Sequence, residues 1–227
     1  MRILVVDDEP QIQRFLKPAL TAAGYEVVDA ANGTDAMRLI ATSAPDVVIL
    51  DLGLPGMDGK DIITKVREWS KVPIIVLSAR DRETEKIAAL DLGADDYVEK
   101  PFGIGELIAR VRTALRHKAQ DAGAATKFET DGLVIDTLKR LVTRDGEAIR
   151  VTPKEYDLLA MLVRHAGRVV THRQLLTSVW GTAHGDDLHY LRVFIGQLRG
   201  KIERDASNPR IIQTEPGIGY RLRDEAE

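Results

Sequence analysis

The sequence predicts a doubly wound α/β domain built on a parallel sheet, followed by a smaller α+β domain. Three observations carry that prediction. A chain of 227 residues is long for one small domain and suits two. Over residues 1–117, short apolar runs alternate with stretches of helical periodicity, as in a parallel sheet covered by helices on both faces. Beyond residue 125 the apolar runs shorten, and Asp145-Gly146 stands between two of them as a hairpin signal before helical spacing returns. The small, polar, aperiodic stretch Lys118 to Ala125 reads as a linker between domains at 1–117 and 126–227.

The first strand is Ile3-Leu4-Val5-Val6, and it runs straight into Asp7-Asp8-Glu9. Pro10 suits the first position of a helix that continues through Ile12, Phe15, Leu16 and Leu20 to Gly24. Pro18 lies inside that helix, where proline costs roughly 3 kcal/mol, and predicts a kink. A second helix spans about Thr34 to Thr42. The run Val47-Val48-Ile49-Leu50 then delivers Asp51 to a turn rich in Gly and Pro, and reads as a strand buried on both faces. Further helices are expected over Gly59–Trp69, Arg82–Leu92 and Ile104–His117. Between them, the strand-like runs Pro73–Ala79 and Asp96–Pro101 carry Ser78 and Lys100 near their ends.

A lone aspartate after a strand more often caps the next turn than acts in a site. Asp51 is not alone, because parallel strands bring their ends to one sheet edge, where open α/β sheets hold ligands. Asp7, Asp8, Asp51, Ser78 and Lys100 would converge there. Clustered carboxylates repel unless a cation lies among them, and oxygen donors with room for water suit magnesium.

These residues resemble the receiver domain of two-component response regulators, over residues 1 to about 117. The resemblance implies a five-stranded sheet and a phosphoryl group accepted on Asp51 from a sensor histidine kinase. It implies Mg²⁺ held by Asp8, Asp51 and the carbonyl of Gly53, with Asp7 acting through water. Lys100 would pair with the phosphoryl oxygens, Ser78 would follow the phosphate, and Tyr97 would change rotamer. An aspartyl-phosphate hydrolase also uses a strand-end Asp and Mg²⁺. It normally needs a second acid two residues on, where this chain has Gly53.

Composition narrows the classes further. No run of about 18 apolar residues suggests a membrane span, and acids follow the first strand too soon for a signal peptide. The absence of cysteine removes disulfides and thiolate metal sites, so a cytoplasmic protein is expected. Residues 1–124 hold 16 Lys+Arg against 20 Asp+Glu, and the remainder 16 against 15. A second half this close to neutral does not announce a nucleic-acid binder by charge alone.

Lys86, Asp91, Asp95, Asp96, Glu106, Arg110 and Arg112 fall on or near the fourth and fifth helices. Most such runs are solvated faces, and exposed pairs contribute only about 0–1 kcal/mol each. These positions resemble the intermolecular salt-bridge set of the OmpR/PhoB class, which implies a homodimer on phosphorylation through helix 4, strand 5 and helix 5.

In the second domain, strands are expected at Leu133–Asp136, Arg140–Thr143 and Ile149–Val151. Thr152-Pro153-Lys154-Glu155 then carries a cap, a proline at the first turn and a capping-box Glu. Another helix runs from Thr171 to Trp180-Gly181. A third places Leu191, Ile195, Leu198 and Ile202 on one face and His189, Arg192, Gly196, Gln197 and Gly200 on the other, with Arg199 at the border. With Gly217-Ile218-Gly219-Tyr220-Arg221 as a hairpin, these elements resemble the winged helix-turn-helix effector of the same class, over about 126–223. That resemblance implies double-stranded promoter DNA and RNA polymerase as partners. Arg192 and Gln197 suit base edges, and Thr171, Arg173, Arg199 and Lys201 suit phosphates. Pro216 stands where many relatives place a minor-groove arginine.

Trp69-Ser70-Lys71-Val72-Pro73, the run Lys100 to Leu107, and His189-Tyr190-Leu191-Arg192 together resemble the Kdp-type branch of the class. That branch implies control of potassium-transport genes; a different regulon of the same class is the alternative.

Overall fold

The computed structural model describes residues 1–79, 83–121, 127–185 and 187–224. It divides into two compact units, Met1–Ala119 and Gln120–Glu227.

The first unit alternates β1 (Arg2–Val6), α1 (Pro10–Ala22), β2 (Glu26–Ala30), α2 (Gly33–Ser43), β3 (Val47–Asp51) and α3 (Gly59–Arg67). It continues through β4 (Ile74–Ala79), α4 (Glu83–Asp91), β5 (Asp96–Lys100) and α5 (Ile104–Asp121). The five strands form one parallel sheet in the order β2-β1-β3-β4-β5. β3 is buried at all five positions, as an apolar strand covered on both faces should be. The apolar runs of the sequence did not single out β2. It is an edge strand, half-exposed, with Glu26 and Asp29 among its valines, so it carries no continuous hydrophobic signal.

Helix α1 continues through Pro18. Pro18 and Arg14 are exposed, so the carbonyl that loses its donor faces water. The start of the fourth helix at Arg82 lies outside the described residues. α5 runs past His117 to Asp121, which corrects the expected linker at 118–121; residues 122–125 lie outside the described set. Lys118 reaches Asp46 at 2.6 Å, a contact that a sequence window cannot register.

In the second unit, β6 (Lys127–Thr130), β7 (Leu133–Asp136), β8 (Leu141–Arg144) and β9 (Glu147–Ala148) form an antiparallel sheet in that order. Two-residue turns at Asp131-Gly132 (φ 44 and 76) and Asp145-Gly146 (φ 50 and 89) have both residues left-handed, the geometry that matches strand twist in tight hairpins. Strand Ile149–Val151 is not formed. The Asp145-Gly146 turn pairs Arg144 with Glu147 and Thr143 with Ala148, and the chain leaves the sheet for the Thr152 cap. β8 begins at Leu141 because Arg140 is left-handed (φ 51).

Helices α6 (Pro153–Arg164), α7 (His172–Trp180) and α8 (Leu188–Ile202) pack with β10 (Val169–Thr171), β11 (Ile212–Glu215) and β12 (Gly219–Leu222). Both α6 and α7 open with complete capping boxes, Thr152 with Glu155 and Thr171 with Gln174. β11 and β12 make the wing hairpin, and β10 pairs with β12 on its other side. Gly219 permits that pairing, since a Cβ there would stand 2.0 Å from the Val170 carbonyl oxygen. Leu191, Ile195, Leu198 and Ile202 are all buried in the core shared by these helices.

Candidate functional site

At the C-terminal edge of the parallel sheet, β1, β3 and β5 bring Asp7, Asp51 and Lys100 together. The Lys100 ammonium lies 2.9 Å from Asp51 Oδ1, 3.0 Å from Asp7 Oδ2 and 3.5 Å from Glu9 Oε1. Gly53 donates its backbone N–H to the other Asp51 oxygen at 3.0 Å, so both oxygens are oriented. A cavity of about 300 Å³ opens here, lined by Asp8, Glu9, Asp51, Leu52, Gly53, Leu77, Ser78, Glu85 and Lys100. Asp7 is fully buried and Asp8 exposed, so the two adjacent acids have different surroundings. Burial pushes the Asp7 carboxyl up, against the pull of the Glu9 N–H and Lys100. Burial works the other way on Lys100, yet the hydrogen bonds and charges of Asp51 and Asp7 outweigh it and raise its pKa.

Among the described residues, no three acidic or histidine side chains form a ready metal cluster; the Lys100 ammonium separates Asp7 from Asp51. Asp8, Asp51 and Gly53 still share the cavity wall. Two carboxylates and a carbonyl beside room for water fit magnesium, which retains water ligands readily. Ser78 lines the cavity, and its side chain is almost buried. Tyr97 turns inward, 7% exposed, with Lys86 Nζ 5.4 Å from its ring centre.

The charges on the α4–β5–α5 face have partners within the chain. Lys86 is buried and pairs with Glu99 at 2.5 Å. Arg110 bonds Asp96 at 2.8 Å and Glu106 at 3.1 Å, and Asp95 pairs with Arg67 at 2.8 Å. Burial alone would lower the Arg110 pKa, but Asp96 and then Glu106 raise it. In the single chain these residues therefore pair in cis, Asp96 with Arg110 between β5 and α5, Glu99 with Lys86 between β5 and α4, and Asp95 with Arg67 of α3. Arg112 is exposed, and Asp91 is partly buried at the end of α4.

In the second unit, α8 presents His189, Arg192, Gly196, Gln197 and Gly200 as exposed residues. A Cβ at Gly196 or Gly200 would meet nothing within 4 Å, so the glycines leave a shallow surface over which another molecule can come close. Arg173 is exposed on α7. Val193, 42% exposed beside Arg192 and Gly196, was missed by sequence reasoning that sends apolar residues to the core.

Three residues expected at phosphates have internal partners. Thr171 is buried and its hydroxyl accepts the Gln174 N–H. Lys201 reaches both oxygens of buried Glu155, at 2.7 and 2.6 Å, and Arg199 bonds β11. The Thr-x-x-Gln pattern at 171–174 is the local signal of that capping box. Lys201 and Arg199 left no comparable local signal. Pro216 and Gly217 form the exposed wing turn.

Residues 3–112 match the model of the response regulator receiver domain. Residues 146–222 match that of the C-terminal domain of transcriptional regulatory proteins. The chain is 48% identical over 221 residues to the transcriptional regulatory protein KdpE of Mycobacterium tuberculosis, covering 97% of this chain and 98% of that protein. It is also 48% identical over 220 residues to the KDP operon transcriptional regulatory protein KdpE of Escherichia coli, with 97% and 98% covered. Among solved structures it resembles the response regulator DrrB of Thermotoga maritima, an OmpR/PhoB homolog, at 30% identity. The TM-score is 0.51, and 98% of both chains is covered.

Proposed function

Because the chain belongs to the OmpR/PhoB class of two-component response regulators, with a DNA-binding effector, we propose that it is phosphorylated on Asp51 by a sensor histidine kinase and then binds promoter DNA as a dimer. The observation that carries this reading is the Lys100 ammonium bridging Asp7 and Asp51 at the mouth of a polar cavity. Asp51 would attack phosphorus as the phosphohistidine P–N bond breaks, and the new acyl phosphate would keep Lys100 as its counter-ion. Ser78, at the cavity wall, would donate its hydroxyl to a phosphoryl oxygen. Asp8, Asp51 and the Gly53 carbonyl would hold Mg²⁺, with Asp7 acting through water. When bound, the ion supplies charge neutralisation for the phosphoryl oxygens. The hydrolase alternative lacks its second acid, since Gly53 occupies that place.

The functional division we adopt is a receiver over 1–117 and an effector over 126–227, both acting in the cytoplasm. Kinship with two proteins named KdpE supports potassium-transport genes as the targets, with RNA polymerase recruited there. Arg192 and Gln197 would read base edges, each good bidentate pair discriminating by about 1–3 kcal/mol. Replacing either by Ala is expected to relax one base position in a selection from random duplexes. An unaltered consensus from both variants would remove them as readers.

Dimerisation would use α4, β5 and α5, with Asp96 and Arg110 exchanging their cis partner for one across the interface. A double reversal in one chain cannot test this, because it also restores the pair in cis. Mixing Arg110→Glu chains with Asp96→Arg chains is the discriminating measurement. Sedimentation of phosphorylated samples is expected to give weak self-association for each variant and recovered association in the mixture. No recovery would count against this pair.

A further inference from the structure

Periodicity places Arg199 at the border of the outward face of α8, where a phosphate contact is the natural expectation. Its guanidinium faces the wing instead. Nε and Nη2 both donate to the Ile212 carbonyl, at 3.1 and 2.6 Å, and Nη2 also donates to Thr214 Oγ1 at 2.8 Å. The same group lies over the Tyr220 ring, 5.6 Å from its centre. Ile212 and Thr214 belong to β11 and Tyr220 to β12, so one side chain touches both strands of the wing. β11 is the edge of its sheet, in the order β10-β12-β11, and an edge strand leaves backbone groups without a strand partner. Arg199 supplies that partner from the neighbouring helix.

The next turn contact of α8 has the same character. Lys201 holds both oxygens of Glu155, and Glu155 accepts the Thr152 N–H at the start of α6. The C-terminal part of α8 is thus fastened on one side to α6 and on the other to the wing. Its exposed residues His189, Arg192, Gly196 and Gln197 lie further toward the N-terminus.

We propose that Arg199 is a positioning residue that fixes the wing hairpin relative to α8, so that the wing and the helix engage one duplex together. This rests on the DNA-binding reading of α8. It differs from a phosphate contact in a way that chemistry can separate. A phosphate needs a cation and accepts lysine, whereas a carbonyl and a hydroxyl gripped by a planar fork need the guanidinium.

The test uses the full-length chain with Arg199→Lys, Arg199→Ala and Thr214→Val, and a duplex selected by the wild-type chain. Arg199→Lys and Thr214→Val are each expected to weaken binding roughly fivefold. Hydroxyl-radical protection should fall at the flank under the wing and persist where α8 binds. The salt slope should stay unchanged, because neither variant removes a charge. Without DNA, amide exchange across Thr214–Gly219 should accelerate in Arg199→Lys while the α6 and α7 amides keep wild-type protection. Wild-type affinity and footprint for Arg199→Lys, with a slope lowered by about one in Arg199→Ala, would overturn the proposal in favour of a phosphate contact. Unchanged wing exchange in Arg199→Lys would also overturn it, whether or not DNA binds. Failure of the wild-type chain to enrich any duplex in the initial selection would instead overturn the DNA reading.

Discussion

Asp51→Asn is expected to reduce incorporation of phosphoryl label from a small phosphodonor to background. The substitution keeps the size and shape of the side chain, so the fold has little to relieve, but an amide oxygen is not a usable nucleophile. Asp51 lies on the cavity wall with one oxygen on Lys100 and the other on the Gly53 N–H, whereas Asp7, held in the same way by Lys100 and the Glu9 N–H, is fully buried. The phosphoryl group adds about 1.5 to 2 negative charges at pH 7, next to acids that Lys100 alone only partly offsets. Chelation of divalent ions should therefore depress labelling of the wild-type chain as well. Undiminished labelling of Asp51→Asn would show that another group accepts the phosphoryl, and the reading of the cavity would fail.

Leu198→Ala is expected to cost the effector about 2–5 kcal/mol. Leu198 is fully buried on the core face of α8, in the cluster with Leu158, Leu162, Leu191, Ile195 and Tyr220. That is a large fraction of the roughly 5–15 kcal/mol available to a folded domain, and duplex binding should fall in step with the folded population. The neighbouring Gln197 is exposed, and Gln197→Ala should change stability by less than about 0.5 kcal/mol while altering base preference. The two tryptophans fall one in each unit, Trp69 and Trp180. Denaturant titration in a Trp69→Phe background therefore reports on the effector alone. A Leu198→Ala midpoint equal to that of Gln197→Ala would mean that α8 does not pack as described.

These two tests bear on parts of the molecule that were readable to different degrees. Asp51, Ser78 and Lys100 were legible because each lies at or near the end of a strand-like run, and parallel strands gather such ends at one edge. Val193 and β2 were not, since both depart from the rule that apolar residues mark the core and the core marks the element.

What the sequence by itself determined was local: the two parallel-strand acids, the Asp145-Gly146 turn, the Thr152–Glu155 capping box, and which face of α8 is buried. Each depends on residues within a few positions of one another, where backbone geometry leaves few choices. The tertiary structure decided the partners of the long charged side chains. Lys201 meets Glu155 across 46 positions, Arg67 meets Asp95 across 28, and Arg199 meets the Ile212 carbonyl. Helical spacing reports the direction in which such a side chain leaves the backbone. Its flexible stem then reaches several possible partners, and which one it finds depends on the groups that the rest of the chain folds into that space.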